Sequence, residues 1–120
     1  MSPITILIAD DHDVVRDGLR LILESEEDFD VVGEAANGAE AVKCFEERKY
    51  DLSFIDFRMP RMNGADCFFA IRARHPDAKI VLMTGFKEPA VDKALQAGAL
   101  ALLQKPFRME EITKIARQFG

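Results

Sequence analysis

The feature that most constrains this chain is an alternation of two kinds of segment. Short apolar runs of strand length recur five times, and each is followed by a longer stretch with helical period. Ile4–Ala9 (ITILIA) reads as a first strand. Residues 13–26 follow as a helix, with Val14, Val15, Leu19, Leu21 and Ile22 as its apolar face. Residues 29–34 (FDVVGE) read as a second strand and residues 38–48 as a helix with Ala41, Val42 and Phe45 inward. Residues 52–55 form the third strand, and residues 65–74 a helix closed by His-Pro-Asp. Residues 79–84 (KIVLMT) are the fourth strand, and Pro89–Gln96 a helix ending near Gly98, a suitable C-terminal glycine. Residues 100–103 and Met109–Phe119 complete the set.

Five strand–helix units joined by short connections predict an α/β fold, a (βα)5 doubly wound parallel sheet with helices on both faces. Right-handed crossovers leave few topologies, and the flavodoxin-like strand order 2-1-3-4-5 is favoured. A length of 120 residues suits one domain, residues 1–120, with any output domain outside this chain. Hydrophobic residues at 48% and charged residues at 31% exclude a disordered chain. A net charge of −5 argues against direct nucleic-acid binding by this domain. Cys44 and Cys67 lie in no metal-type spacing and read as reduced core thiols. The first residues lack a signal-peptide pattern, and no stretch approaches membrane-spanning length, so a cytoplasmic protein with no membrane partner is expected.

In such sheets ligands bind beyond the carboxyl ends of the strands. The first strand delivers Asp10 and Asp11 there, the third Asp56, the fourth Thr84 and the fifth Lys105. With order 2-1-3-4-5 these strands are neighbours, so all five residues converge on one crevice. Alone, Asp10 and Asp11 would read as helix caps, Asp56 as a loop acid, Thr84 as a strand-end residue and Lys105 as a surface lysine. Together they are specific. Three clustered carboxylates need protons, a lysine or a metal to offset their repulsion. Hard oxygen ligands suit Mg²⁺, which keeps coordination positions for phosphoryl oxygens. Asp56 can then attack phosphorus as a carboxylate nucleophile, with Lys105 and Thr84 supporting phosphoryl oxygens.

The stretches ILIADDHDVVRDGLRLIL, VVGEAANGAEAV, DLSFIDFRMPRMNG, IVLMTGF and AGALALLQKPF resemble, in register over nearly the whole chain, the CheY-like receiver domains of bacterial two-component response regulators. The first two segments look most like the NarL/FixJ-type subfamily. The resemblance implies that Asp56 is the phosphoacceptor and that Asp11, Asp56 and the backbone carbonyl of Arg58 ligate Mg²⁺, with Asp10 acting through water. It implies that Thr84 and Lys105 contact the phosphoryl group and that the Lys105–Pro106 peptide bond is cis. The donor would be a sensor histidine kinase docking on the first helix near Val14, Val15 and Gly18. The output would be a rearranged surface of the fourth helix, fifth strand and fifth helix, with possible homodimer formation on phosphorylation and transcriptional control through a DNA-binding domain.

Members of this family carry an aromatic or histidine switch residue three positions before the lysine, where this chain has Leu102. A leucine has no ring to swing, which motivates an alternative reading as a phosphorylation-independent interaction module. Phe86 and Arg58 flank the crevice as candidate shields of the acyl phosphate. Phe68 and Phe69 cannot both face inward, so one is expected in the core and the other partly exposed. A haloacid-dehalogenase-type enzyme would need an acid where Arg58 stands. A flavodoxin would need a phosphate-cradling loop where the acids of ADDHD stand.

Overall fold

A computed structural model describes residues 3–85 and 89–120. Five parallel strands form one sheet in the order β2-β1-β3-β4-β5. Along the chain these are β1 (Ile4–Ala9), α1 (Asp13–Glu24), β2 (Phe29–Ala35), α2 (Gly38–Glu47), β3 (Leu52–Asp56), α3 (Gly64–Arg74), β4 (Ile80–Thr84), α4 (Pro89–Gln96), β5 (Ala101–Gln104) and α5 (Met109–Phe119). The expected topology is therefore observed, with boundaries moved by one or two residues. The largest retreat is at α1, which stops at Glu24 where the Ser25 N–H turns back onto the Leu21 and Leu23 carbonyls.

The inner strands explain why their sequences are nearly unbroken apolar runs. β3 and β4 are buried at every position, because helices cover both of their faces. Two cores result. One joins Leu7, Ile55, Phe68, Ile71, Leu82 and Val91 beneath α2, α3 and α4. The other joins Ile6, Ile8, Leu19, Leu23, Phe54 and Ile112 beneath α1 and α5. Successive side chains of one strand supply opposite cores, as the pleat requires.

Two expectations about faces need correction. Val14 and Leu21 do not belong to the buried face of α1; they are 84% and 72% exposed. At about 100° per residue, Val15, Leu19, Ile22 and Leu23 share one side, while Val14 and Leu21 fall together on another. Leu23, which the sequence reading left out, is fully buried. Likewise Cys44 is only half-buried, whereas Cys67 is a core thiol; both are free.

Helix starts are set by side-chain caps at two places. Asn37 Oδ1 accepts from the Glu40 N–H, and Asn63 Oδ1 accepts from the Asp66 N–H, each at 2.9 Å. Gly64 then opens α3 against the end of β3. A Cβ there would collide with the Asp56 carbonyl oxygen and the Phe57 Cα, so only glycine lets the helix start this close to Asp56. Just before it, the Met62 N–H donates to the Pro60 carbonyl at 2.7 Å, across Arg61 at φ 66°. This is a three-residue turn of the strained kind.

On α3, Phe68 is fully buried, and Phe69 meets it edge-on while remaining 44% exposed. Phe68→Ala is expected to cost about 3–5 kcal/mol of unfolding free energy. Phe69→Ala should stay within about 1 kcal/mol of the parent. Urea denaturation of the two variants measures the contrast; equal losses would mean that α3 is rotated from the orientation described.

Candidate functional site

The strand order reverses direction between β1 and β3, which opens a crevice at their carboxyl ends. Ladder hydrogen bonds continue past the strand ends and fix the backbone there. The Asp10 N–H donates to Ala35 O at 3.0 Å, the Phe57 N–H to Met83 O at 2.7 Å, and the Lys105 N–H to Thr84 O at 2.7 Å. Each chemical group therefore sits on a rigid support rather than a free loop.

Asp10 is fully buried and Asp56 is 4% exposed. Lys105 reaches between them, with Nζ 2.7 Å from Asp10 Oδ2 and 3.3 Å from Asp56 Oδ1. Asp11 lies farther out, its side chain 31% exposed, and meets the His12 imidazole Nδ1 at 3.2 Å. One ligand atom from each of Asp10, Asp11, His12 and Asp56 lies within 4.8 Å of all the others. Thr84 is buried at the end of β4, with Gln104 as its register partner on β5. The Lys105–Pro106 peptide bond is cis. Leu102 pairs with Leu82 across the β4–β5 ladder and packs, half-buried, on the α2–α3–α4 core. Phe86 lies outside the described residues.

The caps reading of the two acids does not hold. The N-cap of α1 is His12, whose own side chain makes no capping hydrogen bond. Asp10 instead accepts from the His12 N–H at 2.9 Å and from its ring nitrogen at 3.0 Å, while its second oxygen holds Lys105. His12 is thus a member of the cluster that sequence reasoning passed over, although it directly follows the acid pair. Arg16 is another, and its contacts lie against the Asp10 backbone.

Burial pushes the Asp56 carboxyl up to about 6, and the charges of Asp10 and Asp11 add to that effect, while Lys105 opposes it. Burial pulls Lys105 downward, but its hydrogen bond to Asp10 and the charges of Asp56 and Asp10 more than offset that, so its net shift is upward. The crevice thus carries negative charge that Lys105 offsets only in part, centred on the partly desolvated Asp56 carboxyl. Beside it, Asp11, Phe57, Arg58, Met59, Pro60 and Asn63 line a cavity of about 600 Å³ that gives access from solvent. The three carboxylates offer hard oxygen ligands of the kind that hold a divalent cation, with the His12 ring nitrogen beside them, while the Lys105 ammonium has no lone pair and only offsets charge.

A five-stranded parallel sheet in the order 2-1-3-4-5, with acids at its switch point and a lysine across from them, is a doubly wound α/β domain of the flavodoxin-like class. The model of the response regulator receiver domain family matches residues 6–117, and the chain belongs to that family. It is 42% identical over 116 residues to the transcriptional regulatory protein YhcZ of Bacillus subtilis, covering 96% of this chain and 54% of that protein. The chain therefore spans about half the length of this curated relative. The receiver domain of NarL from Mycobacterium tuberculosis superimposes with a TM-score of 0.91 at 32% identity, covering 98% of this chain and 96% of the other. CheY in the CheX–CheY–BeF3–Mg²⁺ complex of Borrelia burgdorferi also gives 0.91, at 28% identity, covering 98% and 89%.

The raised Asp56 carboxyl has a consequence for stability. Its folded value of about 6 lies above the ordinary 3.8, so between those values the folded protein holds more protons than the unfolded chain. Stability then falls as pH rises through that window, and the penalty is complete above it. In chelator, Asp56→Asn is expected to raise unfolding free energy by on the order of 2 kcal/mol above about pH 7, with the gain vanishing toward pH 4. Urea denaturation at the two ends of the range tests this. A gain of equal size at both ends would place its origin elsewhere.

Proposed function

We propose that this domain accepts a phosphoryl group on Asp56 from the phosphohistidine of a sensor histidine kinase, in a Mg²⁺-dependent reaction. The observation that carries this reading is the convergence of Asp10, Asp11 and Asp56 on one cation-deficient crevice with Lys105 spanning two of them. In support, CheY of the Borrelia complex is a receiver of the same fold bound with BeF3 and Mg²⁺.

In this reading Asp11, Asp56 and the Arg58 carbonyl hold the metal directly and Asp10 through water. When held there, Mg²⁺ would supply positive charge against the incoming phosphoryl oxygens. Every other role falls to the chain. An Asp56 carboxylate oxygen attacks phosphorus in line as the P–N bond to the donor imidazole breaks. Lys105 leaves its contact with Asp56 Oδ1 and follows the negative charge onto a phosphoryl oxygen. Thr84 turns its hydroxyl onto a second oxygen. Arg58 stands at the rim with the outer cavity wall. The domain catalyses its own phosphorylation and dephosphorylation and is not a turnover enzyme.

The kinase docks along α1, where Val14, Val15, Gly18, Ile22, Phe107 and Met109 line a largely apolar groove of about 500 Å³. Thr84 and Leu102 form the switch pair. With a leucine there, the shift at Thr84 reaches the α4–β5–α5 surface by repacking of aliphatic side chains, not by the swing of a ring. Residues 1–120 make up the receiver. The output is transcriptional control through a DNA-binding domain outside these residues, in a cytoplasmic protein that pairs with itself on phosphorylation. The receiver itself binds neither nucleic acid nor membrane; among the described residues no helix is long and apolar enough to cross one.

Incubation with acetyl phosphate and Mg²⁺ followed by intact-mass measurement tests the core of this reading. One phosphoryl mass should appear in the parent protein and be lost in Asp56→Asn and in chelator. Lys105→Ala should slow the reaction about 100-fold or more. No adduct in the parent, or an equal adduct in Asp56→Asn, would favour the phosphorylation-independent interaction module instead.

A further inference from the structure

Arg16 is the fourth residue of α1, a position where a cation meets the positive end of the helix dipole. Such a residue needs partners, and here it has three. Nη1 donates to the Asp10 carbonyl oxygen at 2.5 Å, Nη2 pairs with the Asp13 carboxylate, and Nε lies 3.3 Å from Glu34 Oε1 on β2. Its side chain is only 15% exposed, so the guanidinium is largely withdrawn from water and every nitrogen is engaged. Arg20, one turn further along, pairs with the other oxygen of Glu34 at 2.5 Å, so that carboxylate is itself held from two sides.

The two anchors Asp10 and Asp13 bracket Asp11 and His12. Within the acid cluster, Asp10 is fixed by burial and by Lys105, and Asp56 by its place in the sheet. The Asp11 carboxylate is a third exposed and, among the described residues, meets a side chain only at His12. Its position is set by the backbone of the β1–α1 turn. That turn is tied by the Asp10 carboxylate, which accepts from the His12 N–H, and by the planar Arg16 fork, which joins the Asp10 carbonyl to the Asp13 carboxylate and which a point-charge lysine cannot reproduce.

We propose that Arg16, seated on Glu34, is a positioning residue that presets the β1–α1 turn so that Asp11 presents its carboxylate to the divalent cation. The inference rests on the metal reading of the crevice given above. It also makes a prediction of sign that charge alone does not. Removing a cation next to an acid cluster should tighten the binding of Mg²⁺ by electrostatics. Removing a clamp should weaken it.

The test is calorimetric titration of Mg²⁺ into the full chain, with amide exchange at Asp11 and His12 measured in parallel. Arg16→Ala and Arg16→Lys should each weaken Mg²⁺ binding about ten-fold, the usual scale for a residue that orients a ligand. Both should speed exchange at the two amides. Glu34→Gln, which leaves the fork in place but unseats it, should act in the same direction and covers the case in which Arg16→Ala fails to fold. Unchanged or tighter Mg²⁺ binding in Arg16→Ala, or full affinity in Arg16→Lys, would overturn the clamp while leaving the metal site standing. If the parent takes up no Mg²⁺, or Asp11→Asn binds it equally well, the metal reading falls and the clamp with it.

Discussion

The arrangement at the carboxyl end of the sheet depends on one ammonium group. Lys105 Nζ bridges the buried Asp10 and Asp56, and without it two carboxylates would be buried side by side. The lysine offsets only part of that charge, which is why Asp56 remains raised. This residual imbalance is what makes the site receptive. In the proposed reaction a cation would relieve it from the Asp11 side, and a phosphoryl group would give Lys105 a stronger anion to follow than either carboxylate. A site fully neutralised by its own side chains would have no such appetite.

Much of the fold was legible because strand and helix periods differ and the connections are short. β3 and β4 announce themselves as unbroken apolar runs, and their burial on both faces is the physical reason. The carboxylate cluster was legible for a related reason. Strand ends in a parallel sheet share one edge, so five polar residues at five such positions must meet. What escaped was angular. A sequence shows Val14 and Leu21 as apolar but not that they lie more than a quarter turn from Leu19. Leu23 was in view and was simply assigned to no face. The lining of the site was also incomplete, since Asp10 was read as a ligand but not as the acceptor of both His12 donors. For Arg16 a signal existed: a cation in the first turns of a helix runs against the dipole and implies an anionic partner. One partner, Asp13, is on the same helix, but the other, Glu34, is on β2, and only the packing of α1 against that strand brings the two together.

Leu102 shows how a departure at one residue alters a reading without cancelling it. The side chain lies in the apolar layer with Leu82 and does not reach the acids. The groups that would bond to phosphate are all present, so the chemistry of the crevice is separable from the means by which its state is reported. Aliphatic repacking responds to displacement of a neighbour, whereas an aromatic rotamer can trap a vacated space.

The two cores have a mechanical consequence. The α1–α5 side and the α2–α3–α4 side touch each other through the sheet, and each strand feeds both. The apolar groove on α1 opens on one side, and Leu102 faces the other. The sheet thus works as a bulkhead with its active edge exposed at the top. Met109 both lines the α1 groove and opens α5, so in the proposed reading a protein seated on that flank touches one edge of the surface that carries the output, while the α2–α3–α4 flank stays free.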